Sequence, residues 1–185
     1  MPKQKKEGID CSKCKATTHN GQRCKLTTCK GDLCWLHLKS KEHLRVKKSG
    51  IHGYGLYAAK SKKSAPDTVF KPKQRITQYR GEVIDPKEKE RRAEQKKDDY
   101  MADLSKGWAV DAVKTNTSAA RYANDCRGTG KKCNSRFSRK FKKSPHDEKV
   151  FLNAKKTIKD GDEILISYGP GYWGNQVRKR KPKKK

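Results

Sequence analysis

The chain has 185 residues, room for one domain of ordinary size and a small appendage. Its 48 Lys and Arg against 20 Asp and Glu leave a net charge of +28, with only 31% hydrophobic residues, a balance that predicts a polyanionic neighbour such as nucleic acid or chromatin. No apolar run nears the roughly 20 residues that a membrane span requires, and no apolar secretory segment follows the N-terminal Met-Pro-Lys-Gln-Lys-Lys-Glu; a spanning helix is excluded, and a soluble, intracellular protein is the expectation.

Residues 1–10 are basic and polar and are expected to be disordered. From Cys11 the chain reads Cys-x2-Cys-x9-Cys-x4-Cys-x4-Cys-x2-His, ending at His37 and holding five of the seven cysteines. In an intracellular chain such crowding points to metal rather than to disulfides. Thiolates and imidazole at short spacings are what tetrahedral zinc needs, and a segment this poor in apolar residues needs a staple to fold. Within a module over 11–38 the preferred ligands are Cys14, Cys24, Cys34 and His37. Cys11 and Cys29 are alternates, and His43 is a weaker substitute. Four protein ligands leave no open position, so the role is structural.

A charged link over 39–48 leads into the main domain, expected over 42–174, with its first strand opening at Leu44. Gly50, Gly53 and Gly55 follow in a turn that lets backbone approach a ligand closely or simply closes a hairpin. No helical pattern comes after it, so it is not a dinucleotide fingerprint. Residues 60–73 are polar with two prolines and read as a surface loop. Strands are expected over 75–79 and 82–84, split by a turn at Arg80-Gly81. Asp85 suits an N-cap, Pro86 the first helical position and Glu88 the far half of a capping box. The helix they open, over 86–97, carries almost no apolar residue and should lie exposed. Another short strand spans 107–112, and many short strands with few helices give a mainly β domain.

At 117–126 a hydroxyl cap opens one helical turn that ends on Asn124 and Asp125. Asn124 can both donate and accept, which suits a carboxylate, an amine or an adenine edge, and equally suits an Asx turn. Residues 127–143 carry eight Lys and Arg and no acid, with Phe137 and Phe141 among them; they read as a nucleic-acid surface or as a solvated loop. A turn at Gly161 then feeds a strand over 163–167 that delivers Tyr168, before Gly169-Pro170-Gly171 breaks the chain ahead of Tyr172 and Trp173. A phenol where a strand ends and the backbone bends suits the floor of a reactive pocket; taken alone, the stretch also fits a core strand with an aromatic plug. Residues 175–185 form a basic tail suited to nuclear import or polyanion binding.

Taken in order, these pieces resemble the SET-domain lysine methyltransferases. The matching stretches are Ser49-Gly-Ile-His-Gly-Tyr-Gly-Leu-Tyr-Ala58, Tyr79-Arg-Gly-Glu-Val-Ile84, Trp108-Ala-Val-Asp-Ala112 and Ala120-Arg-Tyr-Ala-Asn-Asp-Cys126. They continue with Asn134-Ser-Arg-Phe137, Val150-Phe-Leu-Asn-Ala154 and the stretch from Gly161 to Gly169. The N-terminal cysteine segment resembles a short Cys/His zinc knuckle through Cys14-Lys-Ala-Thr-Thr18, Gly21-Gln-Arg-Cys24 and Cys34-Trp-Leu-His37.

The first resemblance implies a mainly β fold of several small sheets in which a C-terminal segment near Tyr168 threads, pseudoknot-like, under the loop around Asn124. It implies S-adenosylmethionine as methyl donor and a protein lysine as acceptor. Carried over, His52, Gly53 and Tyr54 meet the cofactor through backbone groups, with Arg121 beside them. Asn124 and Asp125 hold its amino-acid and adenine portions, and Trp173 covers the adenine. Tyr168 and Tyr79 are the catalytic tyrosines; Tyr79, Phe137 and Ile166 line the lysine channel.

The chain departs from the family pattern in three ways. Asp125 stands where histidine is usual, the zinc cysteines that often follow the last motif are absent, and Ile166 replaces phenylalanine or tyrosine, which favours addition of more than one methyl. The reading is a nuclear enzyme that methylates histone lysines while its charge holds nucleosomal DNA. A non-histone target such as a ribosomal protein, and a non-catalytic SET-like module on nucleic acid, are the alternatives.

Overall fold

The computed structural model describes residues 8–170 and 172, and its N-terminal part holds little regular structure. Strand β1 (Ser12–Lys13) pairs antiparallel with β2 (Thr27–Thr28), and helix α1 (Trp35–Glu42) follows. The helix occupies part of the stretch expected to be a link. Leu38 is buried, and the Glu42 carboxylate accepts from the Thr77 hydroxyl at 2.8 Å and from the Arg80 guanidinium at 3.1 Å. Lys39 and Lys41 in the last turn suit the negative end of the helix dipole. Asp10, in the stretch expected to be disordered, is tied to the main domain: its N–H donates to Thr115 Oγ1 at 2.9 Å, and that hydroxyl donates to the Asp10 carbonyl at 2.9 Å.

Cysteine usage departs from the metal-only expectation. Cys11 is disulfide-bonded to Cys29, and Cys126 to Cys133. Each sulfur of the first pair is committed to the other, so the alternates Cys11 and Cys29 leave the ligand set.

The main domain opens on a hairpin of β3 (Leu44–Lys48) against β4 (Tyr54–Ala58), in register from Leu44↔Ala58 to Lys48↔Tyr54. Strand β5 (Thr68–Phe70) lies inside the stretch read as loop; Phe70 is buried, and the partner strand is far away in sequence. Strands β6 (Arg75–Tyr79) and β7 (Glu82–Ile84) occupy the expected residues. Helix α2 (Pro86–Glu94) has the expected cap, with the Asp85 carboxylate accepting from the Glu88 N–H at 2.8 Å. The other half of the box is not made, because the Glu88 carboxylate takes Arg91 and Arg92 instead, each at 2.6 Å. Nor is the helix a merely solvated one. Arg92 reaches the buried carboxylate of Asp111 at 2.6 Å and the exposed carboxylate of Glu82 at 2.8 Å, which clamps α2 to the sheet of β7, β8 (Met101–Asp103) and β9 (Ala109–Asp111).

The remaining strands are β10 (Asn124–Asp125), β11 (Ser135–Lys140), β12 (Lys149–Ala154), β13 (Ile158–Lys159) and β14 (Leu165–Ile166). Strand β12 pairs antiparallel with β11 and β6, and β13 with β5. Strands β10 and β14 are parallel, with Asn124↔Leu165 and Asp125↔Ile166. The segment around β14 is gripped from two sides. On one, the Ile164 N–H donates to the Leu56 carbonyl at 2.7 Å. On the other, the Cys126 N–H donates to the Ile166 carbonyl at 3.0 Å, while the Leu165 N–H donates to Asn134 Oδ1 at 2.8 Å. The C-terminal segment therefore threads beneath residues 124–134, within which the Cys126–Cys133 disulfide closes a loop.

Leu44, Leu56, Leu152, Ile158 and Ile164 have no exposed surface and form, with Tyr79 and Ile166, the core beneath these sheets. Each such side chain contributes about 1.5–3 kcal/mol by burial. The fold is the expected one: mainly β, several small sheets, a threaded end and an N-terminal Cys/His cluster. Among the described residues no helix is long and apolar enough to cross a membrane.

Candidate active site

The glycine turn between β3 and β4 is held from outside. The Asn124 amide nitrogen faces the carbonyls of His52 and Tyr54 at 3.3 and 3.2 Å and donates to Glu163 Oε1 at 2.9 Å. Glu163 also accepts from the Ser49 hydroxyl at 2.7 Å, tying the start of the same turn. A Cβ on Gly55 would lie 2.3 Å from Glu163 Oε1, so any side chain there would have to displace the Glu163 carboxylate. Gly53 has φ +49° and open space where a Cβ would be. Sequence reading did not single out Glu163; its signal was an acid at the mouth of an apolar strand.

Asp125 turns out to serve the tyrosine. One carboxylate oxygen accepts from the Arg127 N–H at 2.6 Å and the other from the Tyr168 N–H at 2.8 Å. The Tyr168 hydroxyl donates to the Ala123 carbonyl at 3.0 Å. Burial, reinforced by the neighbouring Tyr172 and Asp125, pushes its pKa well above the usual phenol range. The Tyr172 ring stands edge-on 4.8 Å away, its own pKa raised by burial to about 12. Tyr79, at the end of β6, is 6% exposed. Its hydroxyl donates to the Tyr100 carbonyl at 2.8 Å, and its ring meets Phe137 edge-on at 5.5 Å. Burial, with Tyr168 next among the causes, drives this phenol upward too. Both tyrosines therefore keep their protons throughout the working pH range.

Arg121 is buried and committed to the chain itself. Its Nε donates to the Ala112 carbonyl at 2.7 Å and one Nη to that of Val113 at 3.2 Å, with the guanidinium 3.8 Å above the Tyr100 ring. Ile166 is buried in the core. Trp173 lies outside the described residues. The open ground at Gly53, beside carbonyls fixed by Asn124, suits a ligand gripped through backbone, which is the way the donor was expected to be held.

The second constellation is the Cys14, Cys24, Cys34 and His37 cluster, whose donor atoms all lie within 4.8 Å of one another. The Sγ atoms of Cys24 and Cys34 are 4.0 Å apart, and His37 Nδ1 is 3.2 Å from Cys34 and 3.6 Å from Cys14. A tetrahedral zinc with bonds of roughly 2.3 Å to sulfur spaces its ligands about 3.5–3.8 Å apart, so the set fits the ion with small adjustments. Cys34 begins α1, and His37 follows one turn later on the same side, which is why Cys-x2-His brings both ligands together. The Cys34 N–H donates to Cys14 Sγ at 3.2 Å.

A model of the SET domain matches residues 53–169. The chain is also similar to histone-lysine N-methyltransferase mes-4 of Caenorhabditis elegans, with 31% identity over 143 residues. That match covers 69% of this chain and 14% of the relative, so the chain spans only a small part of that protein's length.

Proposed function

The chain belongs to the SET-domain family, and from that premise we propose that it is an S-adenosylmethionine-dependent protein-lysine N-methyltransferase acting on histone lysines in chromatin. The observation that carries the reading is the parallel pairing of β10 with β14. It joins the Asn124 knot on the glycine turn to the segment that ends at Tyr168, two features 44 positions apart in the numbering of the sequence.

The donor supplies an electrophilic methyl group on a sulfonium. His52, Gly53 and Tyr54 would hold it through backbone, with Asn124 fixing that backbone. Asp125 acts as a positioning residue for Tyr168. Transfer to an amine is an in-line displacement, so alignment is the main requirement. The acceptor lysine must be neutral, and a channel walled by Tyr79, Phe137 and Tyr168 desolvates the ammonium and lowers its pKa. Because both phenols stay protonated, Tyr168 and Tyr79 orient the amine and shape the local field; neither serves as a base. Ile166 offers no hydroxyl to retain a water in the channel, which favours addition of more than one methyl. Trp173 is proposed as the cover of the adenine.

Zinc, held by Cys14, Cys24, Cys34 and His37, would staple the N-terminal module. The histone assignment rests on the relative's name and on the net charge of +28, which suits nucleosomal DNA and a nuclear location. The test is transfer of a labelled methyl group to core histones, nucleosomes and ribosomal proteins. Labelling of a histone lysine that falls at least about a hundredfold in Tyr168→Phe is the expected result. Labelling unchanged in that variant would overturn the role of Tyr168, and preferential labelling of ribosomal proteins would overturn the histone assignment.

A further inference from the structure

Lys30 sits where the N-terminal module meets the glycine turn. Its ammonium lies 3.7 Å from the centre of the Tyr54 ring. Tyr54 is the residue whose carbonyl faces the Asn124 amide, and its ring stands edge-on to Tyr122 at 6.2 Å. The backbone that carries Lys30 is fixed on both sides. Cys29 before it is locked to Cys11, and the Lys30 N–H donates to Thr28 Oγ1 at 3.3 Å. After it, the Gly31 N–H donates to the Thr115 carbonyl at 2.7 Å. Gly31 has φ +89°, and a Cβ there would meet Ala119 N at 2.9 Å, so only glycine lets the turn dock this closely. Asp32 then pairs with Arg80 at 3.3 Å.

These bonds fix the backbone of Lys30, and its ammonium rests on the ring of Tyr54. Among the described residues Lys30 forms no ion pair. The neighbouring cation Arg121 is already bound to two backbone carbonyls, as described above. The methyl donor of this family carries a sulfonium, an ammonium and one carboxylate. A lysine beside the donor site repels the first two and attracts only the third. We propose that Lys30 binds the carboxylate at the amino-acid end of the donor, so that the N-terminal Cys/His module completes the donor site of the main domain. The inference rests on the donor reading given under Proposed function.

The experiment is calorimetric titration of the full chain, as wild type, Lys30→Met and Lys30→Arg. Each is titrated with S-adenosylhomocysteine and with its analogue lacking the carboxylate. The wild type should bind S-adenosylhomocysteine, Lys30→Met should lose about tenfold, and Lys30→Arg should stay within about threefold, as expected for one charge-assisted contact. The decarboxylated analogue should bind the wild type and Lys30→Met alike. Equal binding of S-adenosylhomocysteine by wild type and Lys30→Met overturns the inference and leaves the donor reading standing. A loss in Lys30→Met of the same size for both compounds also overturns it, because Lys30 would then act only by packing on Tyr54. Absence of any binding by the wild type overturns the donor reading itself, and the inference with it.

Discussion

Asp125 stands where the resemblance leads one to expect histidine, and its replacement tests the account of the site sharply. Asp125 is 8% exposed, and its carboxylate accepts two backbone N–H groups, from Arg127 at 2.6 Å and Tyr168 at 2.8 Å. Hydrogen bonds to a charged group contribute about 1.5–3 kcal/mol each. In Asp125→Asn one oxygen remains, while an amide NH2 faces an N–H that needs an acceptor, so stability should fall by about 2–3 kcal/mol. In Asp125→Ala both acceptors go, and the loss should be about 4 kcal/mol. Urea unfolding of the metal-loaded protein measures both values. On the proposed role of Asp125 as a positioning residue for Tyr168, turnover should drop while affinity for S-adenosylhomocysteine changes less than about threefold. Two results would refute this reasoning: unfolding of Asp125→Asn within about 0.5 kcal/mol of wild type, or clearly tighter donor binding in Asp125→Asn, the sign of a carboxylate that had been repelling the ligand.

Tyr168→Phe removes one hydroxyl whose bond to the Ala123 carbonyl is lost without leaving a charge; it should cost about 1 kcal/mol of stability by urea unfolding, which separates its effect on turnover from misfolding. Arg92→Met leaves Asp111, 2% exposed, without its guanidinium, and should lower stability by about 3 kcal/mol, measured the same way; a shift under about 1 kcal/mol would mean that α2 is held by something else. At alkaline pH the sign follows from phenols raised in the folded state: the contributions of Tyr79 and Tyr168 are fully present below the unfolded value near 10 and are lost as pH rises towards the folded values. Stability should therefore fall above about pH 10, and Tyr79→Phe should shallow that slope by about 1.4 kcal/mol per pH unit. Chelation should release one zinc per chain, read by mass spectrometry, and melt the N-terminal module by circular dichroism; a module unchanged after chelation would end the zinc assignment.

What was legible in the sequence divides by the range of the interaction. Alternation placed β6 and β7, and Asp85-Pro86 placed the start of α2, because those signals depend on neighbours in the chain. The Cys/His set was legible for the same reason, its ligands lying close together in sequence. Pairings at long range were not. Thr68–Phe70 reads as loop until Ile158 lies opposite Phe70, and Arg92 reads as a solvated charge until Asp111 is buried beneath it. Disulfides were missed because spacing alone does not say which sulfurs meet. The junction of Asn124 with Tyr168 could not come from periodicity at all, since a two-residue parallel bridge leaves no repeat; it was legible only through the order of short motifs shared with a family.

The N-terminal module was read as a separate staple, yet its contacts make it a wall of the main domain. Arg80 stands between Asp32 of the module, at 3.3 Å, and Glu42 at the end of α1, at 3.1 Å, so one guanidinium joins both to the end of β6. Asp10 and Gly31 both bond to Thr115, in the loop that leads into the turn carrying Arg121 and on to Asn124 in β10. Exposed ion pairs contribute little, but Asp32 is 7% exposed, and its pairing with Arg80 comes with a glycine contact that tolerates no Cβ. If the cluster holds zinc as proposed, loss of the metal would loosen residues 24–37, whose docking onto Ala119 and Tyr54 borders the candidate donor site. The cluster is thus structural in its chemistry, while the turn beside it reaches Tyr54 in the candidate donor site.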